Sequence, residues 1–266
     1  MSDSPRDVLR RYWNDRYATY SPDESSCMGA GEHFNRLLYQ VKERAIRKAL
    51  RSAGIVPTRS FSVLDAGCGP ASFAGFYHRE FPLATYTGID ISTRAIERAK
   101  TTLPGDQFYA DDIVTWRHPA GSRFDVVQAV ELLQLLVDDE AFDQAFSNLS
   151  AHMRDTGVIV VPLAFSDRPS RNTSQRFRSR AYFDALMRRL RLVVTKEIRM
   201  YYWLIDGGPE SRLLRAVFAR TGLWSMYAAD RLLMALGATN RRPDHQLSTA
   251  HMLVIQRDQP GRQRSS

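Results

Sequence analysis

Cysteine is nearly missing from this chain of 266 residues, which holds only Cys27 and Cys68. Two thiols build neither a disulfide framework nor a zinc cluster, so a cystine-stapled secreted scaffold is excluded and a reducing cytoplasm is the expected setting. Lysine is almost as scarce. It stands only at Lys42, Lys48, Lys100 and Lys196, so the 37 basic residues are nearly all arginine. Against 29 acids they leave a formal charge of +8. Arginine suits phosphate or carboxylate partners because its planar fork binds them bidentately. The same bias also follows from a GC-rich genome, and basic charge alone does not make a nucleic-acid binder. Long apolar runs are lacking too: none approaches the ~18 residues of a membrane span. The longest, residues 157–165, reads as one buried strand. The start, residues 1–11, is polar and lacks the apolar core of a secretory signal. The six histidines, His33, His78, His118, His152, His245 and His251, fall in no metal-ligand spacing, so no metal is indicated.

What is present is globular: 44% hydrophobic and 25% charged residues exclude disorder of the whole chain. Residues 7–17 suit a short helix, and 21–32 read as a loop of Pro, Ser and Gly. Phe34, Leu37, Leu38, Val41, Ala45, Ile46 and Ala49 recur at helical spacing, predicting one long amphipathic helix that ends near Gly54. The period then changes. Strands are predicted at 61–66, 85–90, 107–110, 124–129 and 157–162. Helices are predicted at 72–79, 93–102 and 138–153, the last capped by Asp138 or Asp139. Such alternation implies a parallel sheet covered on both faces. Beyond it come an arginine-rich loop from 166, a helix ending near Leu190, a strand at 192–203, two helices within 209–237, a loop at 239–246, a last strand at 248–256 and a tail.

The segment Val63-Leu64-Asp65-Ala66-Gly67-Cys68-Gly69-Pro70-Ala71 carries the chemistry. Glycines directly after a strand let the backbone turn tightly and approach a ligand at the carboxyl end of the sheet. A dinucleotide fingerprint would need glycine where Ser72 stands, and a phosphate-binding P-loop would need a Gly-Lys pair. Asp65 would bring a second anion to a pyrophosphate, so a cationic or neutral ligand fits better. On these residues the chain resembles the class I S-adenosylmethionine-dependent methyltransferases, over about residues 61–161. That family ends its first strand in an acid followed by G-x-G-x-G; here the third glycine is Ala71. The resemblance implies that Asp65, Gly67 and Gly69 face the cofactor. It implies that Asp90, in Tyr86-Thr87-Gly88-Ile89-Asp90-Ile91, binds the ribose hydroxyls, while Ile91 packs on the adenine. A carboxylate can accept both hydroxyl protons. Asp112, or alternatively Asp111, then lies near the adenine amine with Ile113 beside it. Phe124-Asp125-Val126-Val127 matches the fourth strand, which brings Ala129 to the cofactor.

The implied fold is α/β: a doubly wound, seven-stranded, mostly parallel sheet with an antiparallel last strand. Residues 1–54 would form a helical lid, 55–207 the cofactor-binding core, 208–247 a helical acceptor cap and 248–266 the last strand and tail. After the fourth strand, Ala129-Val130-Glu131-Leu132 lacks the [DN]-P-P-[YF] of amino-methylating DNA and RNA enzymes, and no Pro-Cys nucleophile is present. A small-molecule acceptor, such as a specialised metabolite, is therefore expected, with an RNA methyltransferase or a non-catalytic cofactor-binding protein as alternatives. Glu131 is a candidate base or acceptor-orienting group, or it holds the loop. His33 and Tyr17 are the other candidates near the transferred methyl. Tyr201 and Trp203 would line an aromatic acceptor pocket, and Arg171, Arg176 and Arg178 would clamp an anionic head. Pocket and clamp together suit C-methylation of an isoprenoid diphosphate. The oligomeric state is not legible.

Overall fold

The computed structural model describes residues 5–19, 32–167, 175–200 and 250–258. Helix α1 (Pro5–Thr19) opens with a proline in its first turn, where the missing N–H costs nothing, and carries Asp7 early and Arg16 late, as the helix dipole favours. Helix α2 (Glu32–Ser52) buries Leu38, Val41, Ala45, Ile46 and Ala49 of the predicted stripe. Seven strands follow: β1 (Phe61–Ala66), β2 (Ala84–Asp90), β3 (Gln107–Ala110), β4 (Phe124–Gln128), β5 (Met153–Leu163), β6 (Leu192–Arg199) and β7 (His251–Arg257). Four helices intervene: α3 (Ala74–Glu80), α4 (Thr93–Thr102), α5 (Asp139–His152) and α6 (Arg180–Arg189).

The sheet runs β3-β2-β1-β4-β5-β7-β6. Strands β1 to β5 are parallel, and β7 lies antiparallel between β5 and β6. Successive residues of each central strand serve opposite faces. Val63, Val126, Val160 and Val254 enter the core beneath α2 and α3, whereas Leu64, Val127, Ile159 and Leu253 enter the core beneath α5 and α6. This two-sided burial explains why the strands read as near-continuous apolar runs. The chain reverses its winding between β1 and β4, and in such sheets ligands bind at the carboxyl ends flanking that point.

Several boundaries differ from the sequence reading. β4 ends at Gln128, one residue before the expected Ala129, and β5 begins at Met153, continuing directly from α5. Helix α3 starts at Ala74 rather than Ser72, because Ala71 takes a left-handed φ of 65° and the chain is still turning. A short 3₁₀ turn, Leu133–Leu135, was not anticipated. Asp138 is the N-cap of α5, its side chain accepting from Ala141 N at 2.8 Å. The helices expected within 209–237 lie outside the described residues. No helix among the described residues is long and apolar enough to cross a membrane, and no group of three or more His, Cys, Asp or Glu among them could hold a metal.

Candidate active site

At the end of β1 the chain turns through Gly67 at φ 73° and Gly69 at φ 54°. The N–H groups of Gly67 and Cys68 both donate to the Ile89 carbonyl, at 2.8 and 3.1 Å. The turn is thus laid against the end of β2. Asp90 completes the junction: one carboxylate oxygen accepts from Gly69 N and the other from Ser92 N, each at 2.9 Å. Burial raises the Asp90 pKa, and those two N–H groups partly restrain the rise. Side chains are excluded on the open side of the turn. A Cβ on Gly69 would lie 2.7 Å from the Tyr17 hydroxyl, and one on Gly67 would lie 3.1 Å from the Leu132 side chain.

A cavity opens above this junction. Its walls include Gly67, Gly69, Asp90, Ile91, Asp111, Asp112 and Ile113 from the ends of β1 to β3, and Val130, Glu131 and Leu132 beyond β4. Leu9, Trp13 and Tyr17 of α1 form another wall, and Tyr39 and Lys42 of α2 a further one. Polar contacts tie α1 down. Asn14 Oδ1 accepts from Ser92 Oγ at 2.8 Å and from Thr93 Oγ1 and Arg94 N at 3.3 Å, at the start of α4. Arg6 pairs with Asp112 at 3.3 Å, while the other oxygen of Asp112 accepts from Val114 N at 2.9 Å.

Below the turn, Asp65 is 1% exposed and is not among the cavity walls. Tyr86 donates to it at 2.5 Å, and Tyr77 donates to the neighbouring Gln128 at 2.7 Å. Burial pushes the Asp65 carboxyl up to about 7; the hydrogen bond from Tyr86 acts against the rise and the Asp90 charge adds to it.

Beyond β4, Glu131 adopts φ 59°, a left-handed backbone that is strained for a residue with a side chain. Its two oxygens are both engaged, one by Gln134 Nε2 at 2.8 Å and one by Lys42 Nζ at 3.0 Å. The Lys42 side chain is only 3% exposed.

Residues 64–159 match the family model described as "Methyltransferase domain". Residues 64–159 are thus a methyltransferase domain. Solved methyltransferases share the fold at low identity. One, magnesium protoporphyrin IX methyltransferase from Synechocystis PCC 6803 with bound S-adenosylmethionine, gives a TM-score of 0.56 at 16% identity, over 75% of this chain and 91% of that one. An S-adenosylmethionine-dependent methyltransferase of Leishmania major gives 0.60 at 16%, over 96% and 87%. Among curated proteins, the trans-aconitate 2-methyltransferase of Escherichia coli O7:K1 is 34% identical over 128 residues, 47% of this chain and 48% of that protein. The Klebsiella pneumoniae enzyme of the same name is 37% identical over 101 residues, 38% of each. The chain thus spans about half the length, or less, of these curated relatives.

Around one cavity the structure gathers Gly67, Gly69, Asp90, Ile91, Asp112, Ile113 and Glu131 of the methyltransferase domain and Tyr17 of α1. It corrects two assignments. Ala129 does not face the cavity; it is 1% exposed and packs in the core beneath α5, because β4 ends one residue early and turns Val130 and Glu131 to the cavity instead. Asp65 likewise sits behind the turn, held by Tyr86. The expected arginine clamp is corrected as well. Arg178 is 7% exposed, donates to Asp139 and to the Leu136 and Asp138 carbonyls, and stacks 3.8 Å from the Phe142 ring centre. Arg176 pairs with Asp139 at 2.6 Å. Both fasten the 175–178 segment to the start of α5. Arg171, Tyr201, Trp203 and the His33 side chain lie outside the described residues. Sequence reasoning missed Arg6, Asn14 and Lys42. Lys42 alone left a signal: it falls on the apolar stripe of α2, four residues after Leu38 and four before Ile46.

Proposed function

We propose that this chain transfers a methyl group from S-adenosylmethionine to a small-molecule acceptor. The cofactor supplies an electrophilic methyl on a sulfonium centre. The chain's own part is to hold and orient. Asp90, fixed by two backbone N–H groups, takes the ribose hydroxyls with its remaining lone pairs. Ile91 and Ile113 flank the adenine, and Asp112, or Asp111, receives its amine. Gly67 and Gly69 allow the close approach that side chains would block. Residues 1–54, whose helices α1 and α2 wall the cavity, serve as a lid, and the acceptor cap expected at 208–247 lies outside the described residues. The observation that carries this reading is the convergence of Asp90, Asp112, the glycine turn and Glu131 on one cavity at the β1/β4 reversal.

We place the acceptor among small acids, working in the cytoplasm. Trans-aconitate, named for the curated relatives, carries carboxylates. A carboxylate acceptor has no proton to lose, so no base is required. This agrees with a Glu131 engaged by Lys42 and Gln134, which we assign to orienting rather than deprotonating. With Arg176 and Arg178 bound to Asp139, nothing among the described residues favours the diphosphate of an isoprenoid. The test is incubation with methyl-labelled S-adenosylmethionine, a metabolite extract and total RNA. Label should appear in small acidic products, as base-labile esters. Label confined to RNA would overturn the reading.

A further inference from the structure

We propose that Lys42 is the carboxylate-binding residue of the cavity; the assignment rests on the cofactor reading above. Among the described wall residues the charges are uneven: Asp90, Asp111, Asp112 and Glu131 are acids, and Lys42 is the cation. Its position is specific. The Lys42 ammonium reaches Glu131, whose neighbour Leu132 lies over Gly67, so it serves the β4 end of the cavity and not the Asp90–Asp112 end.

Packing does not explain a lysine there. Lys42 occupies the buried stripe of α2, where Leu38, Val41 and Ala45 are apolar. An apolar residue there would avoid the cost of desolvating a cation, which a partner as exposed as Glu131, at 37%, offsets only in part. A cation held at 3% exposure beside a cavity is suited to a ligand anion, and Glu131 keeps it compensated until that ligand arrives. Two ligands could bring a carboxylate to this end. One is the amino-acid tail of the cofactor, which lies beyond its sulfur. The other is an acidic acceptor.

The experiment is a double-mutant cycle between protein and ligand, by calorimetry. Wild type, Lys42→Met, Lys42→Gln and Lys42→Arg are titrated with S-adenosylhomocysteine and with the same compound lacking its carboxyl group. In the second arm, protein saturated with S-adenosylhomocysteine is titrated with trans-aconitate and with its triamide. A merely structural lysine would weaken both members of a pair alike, so only the coupling is read. A lost charged hydrogen bond predicts that Lys42→Met and Lys42→Gln weaken the carboxylate ligand about tenfold more than its carboxyl-free counterpart. Lys42→Arg, which keeps the charge, retains most of that preference. Coupling of fivefold or more in the first arm assigns Lys42 to the cofactor, and in the second to the acceptor. If trans-aconitate does not bind, the first arm alone decides. Coupling below fivefold in every arm that binds overturns the proposal. Wild type that fails to bind S-adenosylhomocysteine at all removes the cofactor reading itself, and the Lys42 assignment with it.

Discussion

Asp65→Asn should make the ligand-free protein more stable, and increasingly so as pH rises. The Asp65 carboxylate is 1% exposed, and the groups placed against it are the Tyr86 hydroxyl and the Gln128 amide, with no cation among the described residues. Its pKa is pushed from an ordinary 3.8 up to about 7. A folded-state pKa above the unfolded one means that the folded protein holds the proton more tightly. The group's contribution is therefore full below about pH 4 and is lost as pH climbs towards 7. Three units at ~1.4 kcal/mol each make the loss about 4 kcal/mol. Asparagine has the same shape, can accept from Tyr86 and carries no charge. Urea unfolding of wild type and variant at pH 5, 6, 7 and 8 isolates the effect, since titrating groups that do not touch Asp65 cancel in the difference. That difference should grow by ~1.4 kcal/mol per unit and level off above pH 7. A flat or falling difference would refute the claim that Asp65 is buried without charge compensation.

Two further substitutions test local geometry. Ala71 sits at φ 65°, where an L side chain costs ~1–2 kcal/mol and glycine little, so Ala71→Gly should gain ~1 kcal/mol after the entropy of the new glycine. A lowered melting temperature would mean that the buried methyl outweighs the strain. Arg178→Ala should destabilise by ~2 kcal/mol, because it leaves the Leu136 and Asp138 carbonyls without their donor beside the half-exposed Asp139, whereas Arg176→Ala, on a half-exposed side chain, should cost below ~1 kcal/mol. Both variants should bind S-adenosylhomocysteine normally, and a selective loss of ligand binding would return these arginines to the site.

The alternation of strands and helices was legible because each central strand is buried on both faces, leaving apolar runs such as Val63-Leu64 and Val126-Val127 with acids or glycines at their ends. Asp90 was legible because it lies directly at a strand end. What could not be read depends on distant chain meeting chain. Asn14 caps α4 through Ser92, 78 residues away, and nothing local to either announces the contact. Arg178 was read as a clamp from its charge and spacing, but its partner Asp139 lies 39 residues earlier, at the start of α5. Ala71 reads as a mild departure from a glycine pattern, and only the backbone angle shows what the departure costs.

The central claim is that the junction of Asp90 with the glycine turn holds S-adenosylmethionine. Calorimetric titration of S-adenosylhomocysteine into wild type and Asp90→Ala tests it most directly, with urea unfolding of the variant as the control for fold. The carboxylate is fixed by Gly69 N and Ser92 N and faces the cavity, and a charged hydrogen bond of this kind contributes ~1.5–3 kcal/mol. Binding by wild type, weakened at least about tenfold in a folded Asp90→Ala variant, is the predicted result. Equal affinity in the two proteins would contradict the account.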